Sequence, residues 1–141
     1  MKKRIILTAV IGSFIAAASF SAFAQARGLR ADIPFNFTIK ERALPAGAYT
    51  IEAIRVAGSD ALRIQSADGR IRATVFVRAE FQKSVKEEPR LIFNRYADQY
   101  FLAEVFGFER SLRHELTRSK KEDHLAKSGD VSRVTVQVRQ R

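Results

Sequence analysis

Two histidines, a few paired carboxylates and no cysteine set the chemistry open to this chain. His114-Glu115 begins like the helix of a zinc protease, in which two histidines four residues apart hold the metal and the glutamate acts as a base. Arg118 stands where the second histidine would be needed. His124 lies further along, about 15 Å away on any continuous helix, too far to share one ion without a fold back. This spacing predicts two surface histidines in a charged segment, with no metal and no cofactor. Glu87-Glu88 and Glu122-Asp123 are the adjacent carboxylate pairs. The first falls in a polar loop, and the second in the first turn of a short helix, where acids suit the helix dipole. No Gly-x-Ser-x-Gly elbow presents a serine nucleophile. None of the 7 glycines falls in a GxGxxG or GxxxxGK[ST] phosphate loop. Without cysteine there is no disulfide, thiolate nucleophile, Cys-bound metal or lipid-anchoring cysteine. The expectation is a non-enzymatic protein, with a hydrolase or glycan-active enzyme disfavoured for want of a nucleophile, metal or acid pair.

Aromatic residues are the one enriched class suited to binding. Phe35 and Phe37 alternate with polar neighbours and read as core. Phe76 differs, because its face carries Arg70, Arg72, Thr74 and Arg78. An outward aromatic among arginines can stack on a sugar ring or lie against a partner. Phe76, Arg70, Arg72 and Arg78 are therefore the candidate binding surface. The ordinary alternative is that a helix beginning at Ser119 covers Phe76.

These residues must be placed by a domain that begins after residue 24. Lys2, Lys3 and Arg4 precede an apolar run from Ile5 to Ala18, and Ala22-Phe23-Ala24 supplies the small-x-small pattern of a signal peptidase site. Residues 1–24 read as a signal peptide cut after Ala24, and 25–141 as a single β-rich domain. The polar residues Thr8, Gly12, Ser13, Ser19 and Ser21 argue against an uncleaved membrane anchor. No later run is long enough to span a bilayer as a helix. The expected address is exported: periplasm, outer envelope or extracellular space. Of the 25 basic residues in the chain, all but the three in the leader remain to face 15 acidic ones, leaving the domain at about +7. Nucleic acid is a poor partner for an exported protein, whereas anionic envelope components or glycans are met there.

Period-two alternation dominates the domain and predicts a mainly β fold: one small antiparallel barrel or sandwich of about seven strands with one short helix near the C-terminus. Ile33, Phe35, Phe37 and Ile39 place a first strand over 31–39, with Pro34 at an edge or a strand start. Leu44-Pro45-Ala46-Gly47 reads as a type I turn, and Tyr49, Ile51 and Ala53 as the second strand. Asp68-Gly69 predicts a type I′ hairpin that sets Leu62 opposite Val75, Ile64 opposite Ala73, Arg63 opposite Thr74 and Gln65 opposite Arg72. Val77, Ala79 and Phe81 continue the inner face. Lys83 to Arg90 reads as a loop. Leu91–Asn94 and Tyr100–Phe106 are apolar on both faces, so they are either covered on two sides or expose an interaction surface. Ser119 and Glu122 form a capping box, Gly129 ends the helix, and Arg110 to Arg118 is left strand-like or loop. Val134, Val136 and Val138 give the last strand one wet face.

Four blocks, Asp32–Ile39 (DIPFNFTI), Leu44–Thr50 (LPAGAYT), Leu91–Leu102 (LIFNRYADQYFL) and Glu115–Glu122 (ELTRSKKE), resemble an uncharacterised family of small signal-peptide-bearing exported β proteins of environmental bacteria. The resemblance implies one exported β domain and lends no site residues. The chain departs from it at Ala97, where the family has Gly, and at Thr117, where it has Pro. Two functional expectations follow. The first is a non-enzymatic envelope or extracellular protein that binds, or plays a structural part, through a basic, arginine-rich surface. The alternative is a carrier that holds a lipophilic small molecule inside the β fold.

Overall fold

Ten strands and one helix follow one another as β1 (Gly28–Ile33), β2 (Phe37–Ile39), β3 (Arg42–Leu44), β4 (Gly47–Val56), β5 (Ser59–Ser66), β6 (Arg72–Phe81), β7 (Arg90–Tyr96), β8 (Gln99–Phe106), β9 (Leu112–Leu116), α1 (Lys120–Ser128) and β10 (Ser132–Gln140). The structure, a computed structural model, describes residues 28–83, 88–109 and 111–141. The expected leader, its cleavage site and Glu87 fall outside them. Eight strands close into an antiparallel barrel with the ring order β1-β4-β5-β6-β9-β8-β7-β10. β7, β8 and β9 run as consecutive neighbours and β10 returns beside β7, a Greek key. The β2–β3 hairpin is extra to the ring and hangs on β8 through the parallel bridge Thr38–Phe101.

Of the barrel or sandwich that the sequence predicts, the fold is the small antiparallel barrel, with more strands than alternation indicates. The first expected strand is broken: β1 ends at Ile33, just before Pro34, which has no amide hydrogen to continue a ladder. β3 and β9 are too short to show a period. Pro45 and Ala46 make a bend into β4 rather than a hydrogen-bonded turn. The β5–β6 register is the expected one, from Ala61–Phe76 to Gln65–Arg72. Its turn is not. Type I′ requires positive φ at both central residues, and here Gly69 (φ 73°) is left-handed while Asp68 is not. The loop instead closes on Ser66 N–H to Ile71 C=O and on Gly69 N–H to Ser66 C=O, both 2.9 Å. The Asp68 carboxylate accepts from the Arg70 amide at 3.0 Å and from the Ser66 hydroxyl. Symmetric two-residue and four-residue loops give the same pairing, so the register survives the change of turn. Positive φ at both central residues occurs at Ala57 (50°) and Gly58 (81°), between β4 and β5.

The interior is filled by alternate residues: Leu29, Ala31 and Ile33 of β1, Tyr49 and Ile51 of β4, Leu62 and Ile64 of β5, Val75 of β6, Leu91 and Phe93 of β7. On β8 the parity changes. Its pairing with β7 jumps from Ile92–Glu104 to Phe93–Leu102, leaving Ala103 as a bulge. Leu102 before the bulge and Val105 after it therefore both join the core. Aromatic rings plug one end, where Phe93 meets Phe35 (5.0 Å between centroids) and Phe37 (5.6 Å), and Phe35 stacks on Tyr100 (3.9 Å). The Tyr49 hydroxyl, just beneath, donates to the Pro45 carbonyl at 2.7 Å, and burial of that phenol, with the Asp68 charge, raises its pKa. Phe108, also in the core, packs against His114 near the other end, with centroids 5.2 Å apart.

The outer faces of β7 and β8 are covered, not open. Ile92, Asn94, Tyr96 and Phe101 are buried although they point away from the core, and α1 is fastened over them. Phe81, expected inside, is 85% exposed because the ladder to β9 ends there.

Two backbone positions give opposite expectations. Gly107 (φ 116°) lies against Pro89, where an added Cβ would sit 2.6 Å from the Pro89 Cβ. Gly107→Ala should lower stability by about 2–4 kcal/mol through clash and left-handed strain. Ala97 (φ 53°) occupies the first position of the two-residue β7–β8 turn, a conformation that favours Gly. Ala97→Gly should raise stability by about 0.5–1 kcal/mol. Urea midpoints of the two variants check both signs.

Candidate functional site

The outward face of β6 carries Arg72, Thr74, Phe76 and Arg78, all exposed. Phe76 is 56% exposed and is not covered by α1. It stands opposite Ala61, which in turn faces Ile54, so its ring ends an apolar row across β4, β5 and β6. Arg70 is not on this face: it sits in the hairpin loop, 3.8 Å from the Asp68 carboxylate. That carboxyl is held below its ordinary pKa by the Ser66 hydroxyl and the Arg70 amide. The structure thus keeps three of the four expected surface residues together. It adds Arg42 of β3, whose guanidinium donates to the Arg72 carbonyl at 2.6 Å.

Arg78 also lines an open groove of about 480 Å³ between β9 and α1, with Asn94, Glu104, Glu115, Arg118 and Glu122. The groove follows from the way α1 is held. Ser119 caps the helix, its hydroxyl accepting from the Glu122 amide at 3.1 Å. In a full capping box the Glu122 carboxylate would turn back to the cap. It points instead onto β7, where Oε1 accepts from Asn94 Nδ2 (2.9 Å) and the Tyr96 hydroxyl (3.3 Å). Burial, then the Glu122 charge, pushes the Tyr96 phenol's pKa up. Gly129 ends the helix as expected, but in an extended conformation (φ −161°) rather than a left-handed cap. The carboxylate pair Glu122-Asp123 is therefore split: Glu122 is a buried fastener and Asp123 is exposed.

The outer wall carries two pairs of like charges set directly across from one another. On β8 and β9, Glu104 faces Glu115. Arg113 lies 3.9 Å from Glu104, 3.6 Å from Glu115 and hydrogen-bonds Glu80, while Arg133 bonds Glu104 as well. The Glu80 hydrogen bond and these negative charges raise the pKa of the Arg113 guanidinium further. On β1 and β10, Arg30 faces Arg139. Among the described residues neither makes an ion pair. Both line an outer groove of about 660 Å³ across β10, β1, β4 and β5. Sequence inspection missed this pair because the two residues are far apart along the chain and meet only when the barrel closes.

His114 is not a surface residue. β9 turns it inward between Val105 of β8 and Ala79 of β6, where it is 4% exposed and its Nδ1 has no hydrogen-bond partner. The parity that places Leu112 and Leu116 inward carries His114 with them. His124 is exposed, as expected. No group of three potential metal ligands occurs among the described residues.

Burial lowers the His114 pKa, partly opposed by the charges of Asp60 and Glu109. The unfolded chain takes up a proton near pH 6.5 while the folded chain resists it. The imidazole's contribution is complete above that pH and is lost as pH falls toward the lower folded-state pKa. Urea midpoints should fall between pH 7 and pH 5, and His114→Leu should flatten that slope. No protein-family model matches the chain, and no curated protein or solved structure is significantly similar to it.

Proposed function

We propose that this chain is an exported, non-enzymatic protein of the periplasm, outer envelope or extracellular space. Its barrel is a rigid support for an arginine-bearing surface that binds anionic envelope components or glycans. One observation carries this reading: Arg30, Arg72, Arg78, Arg118 and Arg139 stand on the outside with no ion-pair partner among the described residues. Unpaired cations spread over the outside of the barrel add up to a positive field that draws anionic polymers. The apolar core and charged outer strands are the reverse of a membrane-spanning barrel, which needs an apolar band outside. The resemblance to small signal-bearing exported proteins supports the address.

A carrier of a lipophilic molecule would need room inside. Phe37, Ile51, Leu62, Val75 and Phe93 are all buried against one another at the centre, and Phe35 closes over them. The two larger grooves open on the outer wall instead.

Purified protein should be retained on anionic envelope fractions at low salt and released by about 0.5–1 M salt, as the Debye length shrinks toward about 3 Å. Passage through such fractions unretained at low salt would contradict the proposal.

A further inference from the structure

Like charges placed directly opposite on neighbouring strands have Cβ atoms about 5 Å apart and destabilise the pair. The barrel neutralises one such pair internally, the opposed glutamates at the β8–β9 seam, with Arg113 and Arg133. The opposed arginines on β1 and β10 receive nothing comparable. Two side-chain carboxylates line the same groove, Asp32 and Glu52. Glu52 is taken by Arg63 at 3.5 Å. Asp32 belongs to β1 itself and makes no ion pair among the described residues. The positive pair is thus left for a negative group from outside.

The arrangement beyond the pair indicates the shape of that ligand. From Arg139 the register runs across neighbouring strands through Arg30, Thr50 and Gln65 to Arg72. Four strand spacings make this row about 19 Å long. It begins with two guanidinium groups, continues through a hydroxyl and an amide, and ends on a third guanidinium, that of Arg72 on β6 just beyond the groove's lining. A single small oxyanion meets only the first pair, whereas a chain with negative groups spaced by hydroxyl-bearing units meets the whole row. The large exposed apolar side chains, Phe76, Phe81 and Val131, all lie outside this groove. A nucleic-acid strand would lack an aromatic platform here, and a bilayer would lack an apolar anchor.

We propose that the groove across β10, β1, β4 and β5 binds an acidic polysaccharide strand. A carboxylate or sulfate group of that strand seats between Arg30 and Arg139, and neighbouring hydroxyls meet Thr50 and Gln65. This assignment narrows the surface-binding proposal above and rests on it.

The test is calorimetric titration of the purified protein at low salt with a hexamer of galacturonate, and separately with inorganic phosphate, single-stranded oligonucleotide and anionic phospholipid vesicles. The hexamer should bind more tightly than the other three probes. Arg30→Gln and Arg139→Gln should each weaken it about tenfold, the scale of one lost charge-assisted hydrogen bond. Lys121→Gln, an exposed residue of α1 away from this groove, should change it less than twofold. The ligand-free thermal midpoint of Arg139→Gln should equal or exceed that of the parent, since one of two repelling charges is gone. A marked fall in that midpoint would give the pair a structural role and overturn the assignment. Equal binding of the hexamer by the parent and both arginine variants would also overturn it, yet leave surface binding standing if retention on envelope fractions persists. Phosphate, oligonucleotide or vesicles binding as tightly as the hexamer would reject a polysaccharide strand as the occupant. Loss of envelope retention by the parent protein would remove the broader proposal as well.

Discussion

Three cross-strand pairs close the barrel: Glu104–Glu115, Val105–His114 and Phe106–Arg113. β8 gives only this end of its edge to β9, because near Phe101 the same edge is taken by β2. A seam so short cannot rely on backbone hydrogen bonds alone. Inside, Val105 pairs with His114, against which Phe108 packs, and burial contributes about 1.5–3 kcal/mol for each large apolar side chain. Outside, the two opposed glutamates would push the strands apart without Arg113 between them. Every other feature presupposes that this ring is shut. The aromatic plug needs a wall around Phe93, and Arg30 meets Arg139 only because the first and last strands are brought side by side.

Closure also explains why β7 and β8 are apolar on both faces. The bulge at Ala103 lets Leu102 and Val105 point the same way, although an unbroken strand would oppose them. Phe101 is then turned outward, where it packs edge-on against Tyr96 at 5.8 Å. A wet surface there would expose two rings. The α1 helix removes that surface by placing a carboxylate, not an apolar side chain, at its centre. Glu122 accepts from Asn94 and Tyr96, so the polar groups buried by the helix satisfy one another.

Much of this architecture was legible as alternation, and the losses have physical reasons. The β5–β6 register could be read because every inward residue matched an inward partner across the loop. Loop geometry could not, since it depends on φ at single residues, and Ala57 gives no sign that it will turn left-handed. β9 could be read only as strand-like or loop because its five residues are too few to show a period and its inner face holds a histidine between two leucines. Of the candidate surface, Phe76, Arg72 and Arg78 were found by strand parity. Arg70 was lost because parity stops where the turn begins. The Arg30–Arg139 pair was out of reach for a different reason: it depends on the first and last strands pairing, which no local pattern encodes.

The two opposed like-charge pairs bring the fold and the proposed binding role together. A flexible surface would let repelling side chains swing apart, and their charges would impose no cost. On a closed barrel both strands are fixed by neighbours on either side, with β1 held between β10 and β4, so the backbone cannot move to relieve the repulsion. At the seam that rigidity is compatible with stability because arginines are built in beside the glutamates. On β1 and β10 the same rigidity holds the backbones of Arg30 and Arg139 in register without such partners. In the proposed role, a negative group arriving there gains electrostatic attraction and relieves repulsion at once, and only the arginine side chains, not the strands, must be ordered to receive it. For the binding role proposed, the fixed backbone register of these strands matters more than the overall positive charge of the chain.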